Sequence, residues 1–215
     1  MARVICIMGE SGSGKTTSMR NLNPDTTLYI DCDKKGLSWK GWKSVFNAEN
    51  KNYLRTDFPQ VVLSALKKVE EQENYKHIEA IVVDTLNGLM VADEMRRTKE
   101  KGYDKWQDLA QSIYDLVDYS LTMREGVTVI FTAHTQTDHD EGGYLFTRIK
   151  TSGRKLDKIT LESKFSTVLL SKCVDGKYMF ETQANFSTAK SPMGAFEEKE
   201  VENDITKIIK ALEEF

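Results

Sequence analysis

Residues 3–17 constrain this chain more than any other stretch. Arg3-Val4-Ile5-Cys6-Ile7-Met8 is a continuous apolar run, the pattern of a strand buried on both faces as parallel sheets require. It passes at once into Gly9-Glu10-Ser11-Gly12-Ser13-Gly14-Lys15-Thr16-Thr17. That segment fits the spacing G-x-x-x-x-G-K-[ST] of a phosphate-binding loop. Its glycines allow positive φ, so that successive N–H groups converge on an anion. Lys15 is expected to open a short helix ending near Asn23-Pro24, whose N-terminal dipole adds to the positive field. The ligand expected here is ATP, with GTP as the second choice, together with Mg²⁺. The Lys15 ammonium would reach the β- and γ-phosphates, and the Thr16 hydroxyl would ligate the metal.

Farther along, strands alternate with helices. Thr27–Asp31 and Ala80–Asp84 read as buried strands, and Val127–Ala133 as a fourth. Pro59 opens a helix whose apolar positions are Val62, Leu66 and Val69. Trp106, Leu109, Ile113, Leu116, Val117, Ser120 and Leu121 line one face of a longer helix. Beyond residue 135 the pattern turns to strands, at Gly143–Ile149, Thr167–Cys173 and Lys177–Thr182. Val174-Asp175-Gly176 makes the last two a hairpin. A helix carrying Ile205, Ile208, Ile209 and Leu212, capped by Asn203, closes the chain. The expectation is one α/β domain over residues 1–215, with a mainly parallel central sheet, flanking helices and a C-terminal β-hairpin extension.

The chemistry expected of the strand ends follows from where they stop. Asp84 ends Ile81-Val82-Val83, and a carboxylate at the tip of a buried strand is costly unless it meets a cation. Beside a phosphate loop that cation is hydrated Mg²⁺, which makes Asp84 the second metal residue with Thr16. The alternative is a cap on the next helix, a role open equally to Thr85. Asp31 and Asp33 flank Cys32, and their spacing puts both on one face. One of them near the γ-phosphate would position the attacking water. The other reading is a surface turn paired with Lys34 and Lys35. His134 follows the apolar strand and would arrive at the sheet's carboxyl edge, where His134 or Gln136 would contact the γ-phosphate. A structural histidine is the alternative.

Charge and composition exclude some classes. A net charge of −3 argues against a chain that coats DNA by bulk electrostatics. A local groove remains open, because Arg148–Lys164 holds six basic residues against two acidic ones. Cys6, Cys32 and Cys173 form no CxxC pair, so neither a zinc site nor a disulfide framework is indicated. Neither a membrane span nor a signal peptide is visible, and a cytoplasmic location is expected.

The order of phosphate loop, acidic strand end, Asp84 strand and polar strand end resembles the RecA-like branch of P-loop ATPases. Within it the chain resembles the short phage nucleotide-binding proteins of the recombination and single-strand-annealing group. The likeness covers nearly the whole chain. Its more specific part is Asp175-Gly176-Lys177-Tyr178-Met179-Phe180-Glu181-Thr182-Gln183, then Thr188-Ala189-Lys190-Ser191-Pro192-Met193-Gly194. The resemblance implies a Mg²⁺-dependent ATPase of phage DNA recombination, repair or replication, working in the host bacterial cytoplasm with single-stranded DNA and its binding protein. It implies that Asp33 stands where recombinases carry a catalytic glutamate, one methylene shorter. It gives His134 the γ-phosphate-sensing place. It aligns Lys190 with a finger motif that reaches a neighbouring subunit's nucleotide, with Pro192 in place of the arginine, and hence implies a homo-oligomer. It lays residues 135–164 where recombinases carry a DNA-binding loop, with Tyr144 and Phe146 as stacking aromatics.

Two other readings compete. A nucleoside or nucleotide kinase would need an arginine-rich lid, for which only Arg96 and Arg97 are adjacent. A non-catalytic ATP switch would bind the nucleotide and recruit a partner. Sheet order discriminates the first of these: a RecA-like sheet inserts a strand between the loop strand and the Asp84 strand, and many kinases do not.

Overall fold

A computed structural model describes residues 1–102, 104–139, 141–152 and 160–215. Among these residues the main sheet contains β1 (Arg3–Met8), β2 (Thr27–Asp31), β3 (Tyr53–Arg55), β4 (Ala80–Asp84), β5 (Thr128–Ala133), β8 (Thr167–Val174), β9 (Lys177–Glu181) and β10 (Glu200–Glu202). Their order across the sheet is β10-β9-β8-β1-β5-β4-β2-β3. The strands from β8 to β3 run parallel, and β9 and β10 add on in antiparallel fashion. A separate ribbon pairs β6 (Thr135–His139) with β7 (Leu145–Ile149). The helices are α1 (Trp42–Val45), α2 (Pro59–Glu71), α3 (Leu86–Arg96), α4 (Asp104–Thr122) and α5 (Ile205–Ala211). β5 lies between β1 and β4, the RecA-like arrangement that the family resemblance implied.

Alternation along each strand divides the core in two. Val4, Cys6 and Met8 of β1 join Ile81 and Val83 of β4 and Val129 and Phe131 of β5 on one face. There they meet Val62, Leu66 and Val69 of α2, and Ile113, Leu116 and Val117 of α4. Ile5, Ile7, Tyr29, Val82 and Ile130 point to the other face, against Met19, Leu37, Phe46, Ile205 and Ile208. Each such side chain contributes about 1.5–3 kcal/mol on burial. A one-residue slip of β1 would exchange its two sets of side chains between unlike surfaces, so the register is firmly held. In that register Met8 pairs with Ala133 on one side and Leu170 on the other. The loop at residue 9 therefore leaves the sheet between the ends of β5 and β8.

Two local expectations are corrected. The helix after the loop is only a 3-10 turn, Thr17–Met19. The Ser18 hydroxyl donates to the Lys15 carbonyl at 2.6 Å and the Arg20 guanidinium to the Thr17 carbonyl at 3.2 Å, so side chains take up acceptors of the turn. Pro24, soon after, cannot continue a helix. The cap of α5 is Asp204, which accepts from the Thr206 N–H at 3.0 Å, while Asn203 is buried and donates to Ser171. Residues 135–139, unassigned by pattern, form β6, whose only sequence signal is polar β-branched Thr135 and Thr137.

Candidate nucleotide site

The loop is shaped by close approach as well as by φ. A Cβ on Gly9 would stand 2.5 Å from both the Ser13 hydroxyl and the Ser171 carbonyl oxygen. Gly14 has φ +99°, and a Cβ there would come within 2.8 Å of the Tyr178 ring. No other residue type meets either requirement. Lys15 is 6% exposed, and its Nζ donates to the carbonyls of Gly9 and Glu10, each at 2.7 Å. Burial lowers its pKa to about 8, with the Asp84 carboxylate pulling the other way. Ser11, Gly12, Gly14, Lys15, Thr16 and Thr17 line a cleft of about 370 Å³ that Lys35, Ser38, His134 and Tyr178 complete. Ser13 turns inward instead, its carbonyl accepting from Ser171 at 2.7 Å, and the Glu10 carboxylate accepts from the Thr135 hydroxyl.

Asp84 is 2% exposed and is not the cap of α3. Its Oδ2 accepts from the Thr16 hydroxyl at 2.8 Å and the Tyr29 hydroxyl at 2.6 Å, and its Oδ1 from Thr132. Thr85 is the cap of α3, accepting from the Gly88 N–H at 2.9 Å. The two metal residues named from sequence thus touch across 68 positions of chain. Neighbouring strands make this possible: Tyr29, Asp84 and Thr132 come from β2, β4 and β5, which lie side by side. Both their common face and their adjacency come from the register of these strands.

Asp31 and Asp33 have separate surroundings. Asp31 accepts from the Gly36 N–H at 2.8 Å and the Tyr53 hydroxyl at 2.6 Å, holding the turn that follows β2. Asp33 accepts from the Thr85 hydroxyl at 3.1 Å and pairs with Lys35 at 2.6 Å. It lines a second cavity, of about 410 Å³, with Asn87, Gly88 and Asp57. His134 lines both cavities and so stands between them. Burial, aided by the Lys15 charge, lowers its pKa, which keeps the imidazole neutral near pH 7. Asn87 fixes its backbone, accepting from the His134 N–H at 2.7 Å while donating to the Lys150 carbonyl at 2.8 Å. Nothing in the sequence marked Asn87 for this. Gln136 bonds Asp138 at 3.0 Å and is not among the residues lining the cleft.

The outlying candidates are less gathered. Lys190 bridges Val168 of β8 through two backbone hydrogen bonds of 2.8 Å and is not among the residues that line the cleft of its own chain. In the basic segment, Arg148 pairs with Asp138 at 3.6 Å and Lys164 with Asp118 at 2.7 Å, so these charges are partly spoken for. Arg154, Lys155 and Lys158 lie outside the described residues. Tyr144 and Leu145, at the end of the ribbon, are 68% and 55% exposed. Arg96 and Arg97 are engaged with Asp57 and with Glu100 and Asp108. No described helix is long and apolar enough to cross a membrane.

A parallel sheet with an inserted strand, a glycine-shaped loop at its carboxyl edge, a buried lysine and a hydroxyl–carboxylate pair define a P-loop NTPase. The chain belongs to the AAA domain family, whose model matches residues 1–191. That match supports ATP as the nucleotide. No curated protein matches the chain.

Proposed function

We propose that the protein is a Mg²⁺-dependent ATPase of phage DNA recombination, repair or replication, acting with single-stranded DNA and its binding protein. The observation that carries the enzymatic part is the 2.8 Å contact between Thr16 and Asp84 beside Lys15. A hydroxyl and a carboxylate are hard oxygen donors, few in number. That suits Mg²⁺, which keeps waters and takes its remaining ligands from phosphates. When bound there, Mg²⁺ neutralises charge on the β- and γ-phosphates. Thr16 and Asp84 would hold it, and Lys15 would give up its two carbonyl acceptors for phosphate oxygens. Asp33, in the adjoining cavity, would orient a water towards the γ-phosphate, and neutral His134 would hydrogen-bond the transferring group.

The DNA part is carried by the resemblance and by the ribbon that begins one residue after His134 and exposes Tyr144 and Leu145. Bases stack on exposed aromatic side chains, here that of Tyr144. A kinase is disfavoured because β5 separates β1 from β4 and because both candidate lid arginines are held by acids. The test is ATP turnover with and without single-stranded DNA across a salt series. Stimulation that weakens as salt rises is expected. Turnover indifferent to DNA would overturn the DNA assignment. Tight ATP binding without turnover would leave the non-catalytic switch.

A further inference from the structure

We infer that Tyr178 is the platform on which the base of the bound nucleotide stacks. This rests on the cleft being the ATP site. β1 and β8 run in register as far as Met8 and Leu170. There β1 gives way to the loop, but β8 continues to Val174, turns through Asp175 (φ 51°) and Gly176 (φ 78°), and returns as β9. Positive φ at both central residues is the hairpin turn that matches strand twist. The hairpin therefore rises past the sheet edge beside the loop, and Tyr178, opposite Cys173, rises with it. Its Cδ1 lies against Gly14, the loop's last glycine.

Strand order gives the cleft a direction. Across the sheet the sequence is β9, β8, β1, β5, β4, so Tyr178 and His134 flank the loop from opposite sides. Asp33, His134 and Asp84 gather on the β5–β4 side, where the terminal phosphate would react. The base then leaves on the β8–β9 side, and Tyr178 is the aromatic residue lining the cleft there. The residue is 50% exposed, which leaves surface for a flat aromatic partner. Such stacking accepts any base, and a purine covers more of the ring than a pyrimidine does.

The test measures Mg²⁺-dependent binding of ATP and of inorganic tripolyphosphate to the full chain and to three variants. Tyr178→Ala should weaken ATP by about 5- to 150-fold, the range of one lost base stack, and leave tripolyphosphate unchanged. Tyr178→Phe should keep ATP affinity. An unchanged ATP affinity in Tyr178→Ala overturns the inference. So do equal losses for both ligands, since the tyrosine would then only shape the loop. Lys15→Ala separates the two levels: if it leaves tripolyphosphate binding intact, the phosphate site itself is misassigned.

Discussion

Asp31 and Asp84 stand directly opposite one another on β2 and β4, and each is 2% exposed. Two buried carboxylates side by side raise each other's cost, and hydrogen bonds alone compensate only partly. Asp31 is served by a backbone N–H, a tyrosine and, at 4.0 Å, the Arg55 guanidinium. Asp84 faces the loop, with Thr16 and Lys15, and is the one poised for a cation. The pair therefore makes opposite predictions on neutralisation.

Asp84→Asn should abolish the Mg²⁺ dependence of turnover. It should also cost about 1–3 kcal/mol of stability, because an amide nitrogen would replace an acceptor used by Thr16, Tyr29 or Thr132. Asp31→Asn can still offer its oxygen to Gly36 and Tyr53, so turnover and Mg²⁺ dependence should persist. Urea denaturation and a Mg²⁺ titration of turnover check both. Loss of Mg²⁺ dependence in Asp31→Asn alone would show that the carboxylate roles are reversed.

Lys15 links nucleotide binding to protons. Its pKa is lowered to about 8, below the ordinary 10.5, so the folded protein holds fewer protons than the unfolded one between these values. Its penalty on stability is therefore full below about pH 8 and fades as pH rises towards 10.5. A bound triphosphate favours the charged ammonium. ATP binding at pH 8 should thus take up about half a proton, read by calorimetry in buffers of differing ionisation enthalpy. Lys15→Ala should abolish this uptake and reduce turnover on the order of 10²-fold.

Asp33 and Gly88 should act together. Asp33→Ala should slow hydrolysis while ATP binding stays. A Cβ on Gly88 would stand 2.4 Å from Asp33 Oδ1 and 2.9 Å from the Cys32 carbonyl, so Gly88→Ala must displace the turn that carries Asp33. It should mimic Asp33→Ala in single-turnover rate, with normal ATP affinity. A normal rate in both variants would remove Asp33 from the water-positioning role.

Lys190, if it serves a neighbour, makes turnover per subunit rise with protein concentration, because a head-to-tail interface completes the site. Mixing Lys190→Ala with Lys15→Ala protein should then partly restore turnover. Rates independent of concentration, with no rescue on mixing, would reduce Lys190 to a β8 edge residue.

Much of this site was legible in sequence because its parts are local. The loop spacing, the apolar run before it, the strand ending at Asp84 and the Asp175-Gly176 hairpin each depend on residues within one element. That Tyr29, Asp31, Asp84 and Thr132 share one face of the sheet comes from the register of β2, β4 and β5. Separating Asp31 from Asp33 was beyond the local pattern: Lys35 was available to either carboxylate, and Tyr53, which engages Asp31, comes from a strand distant in sequence.

Sequence by itself determined the anion-binding loop, the existence of the buried strands and the residues available for chemistry, since these follow from glycine φ and continuous apolar runs. Tertiary structure alone decided the lateral order β9-β8-β1-β5-β4. That order sets Thr16 against Asp84, His134 between two cavities, and Tyr178 over Gly14. Strand adjacency comes from how helices cover two faces of one sheet, a balance of long-range burial that no local pattern encodes.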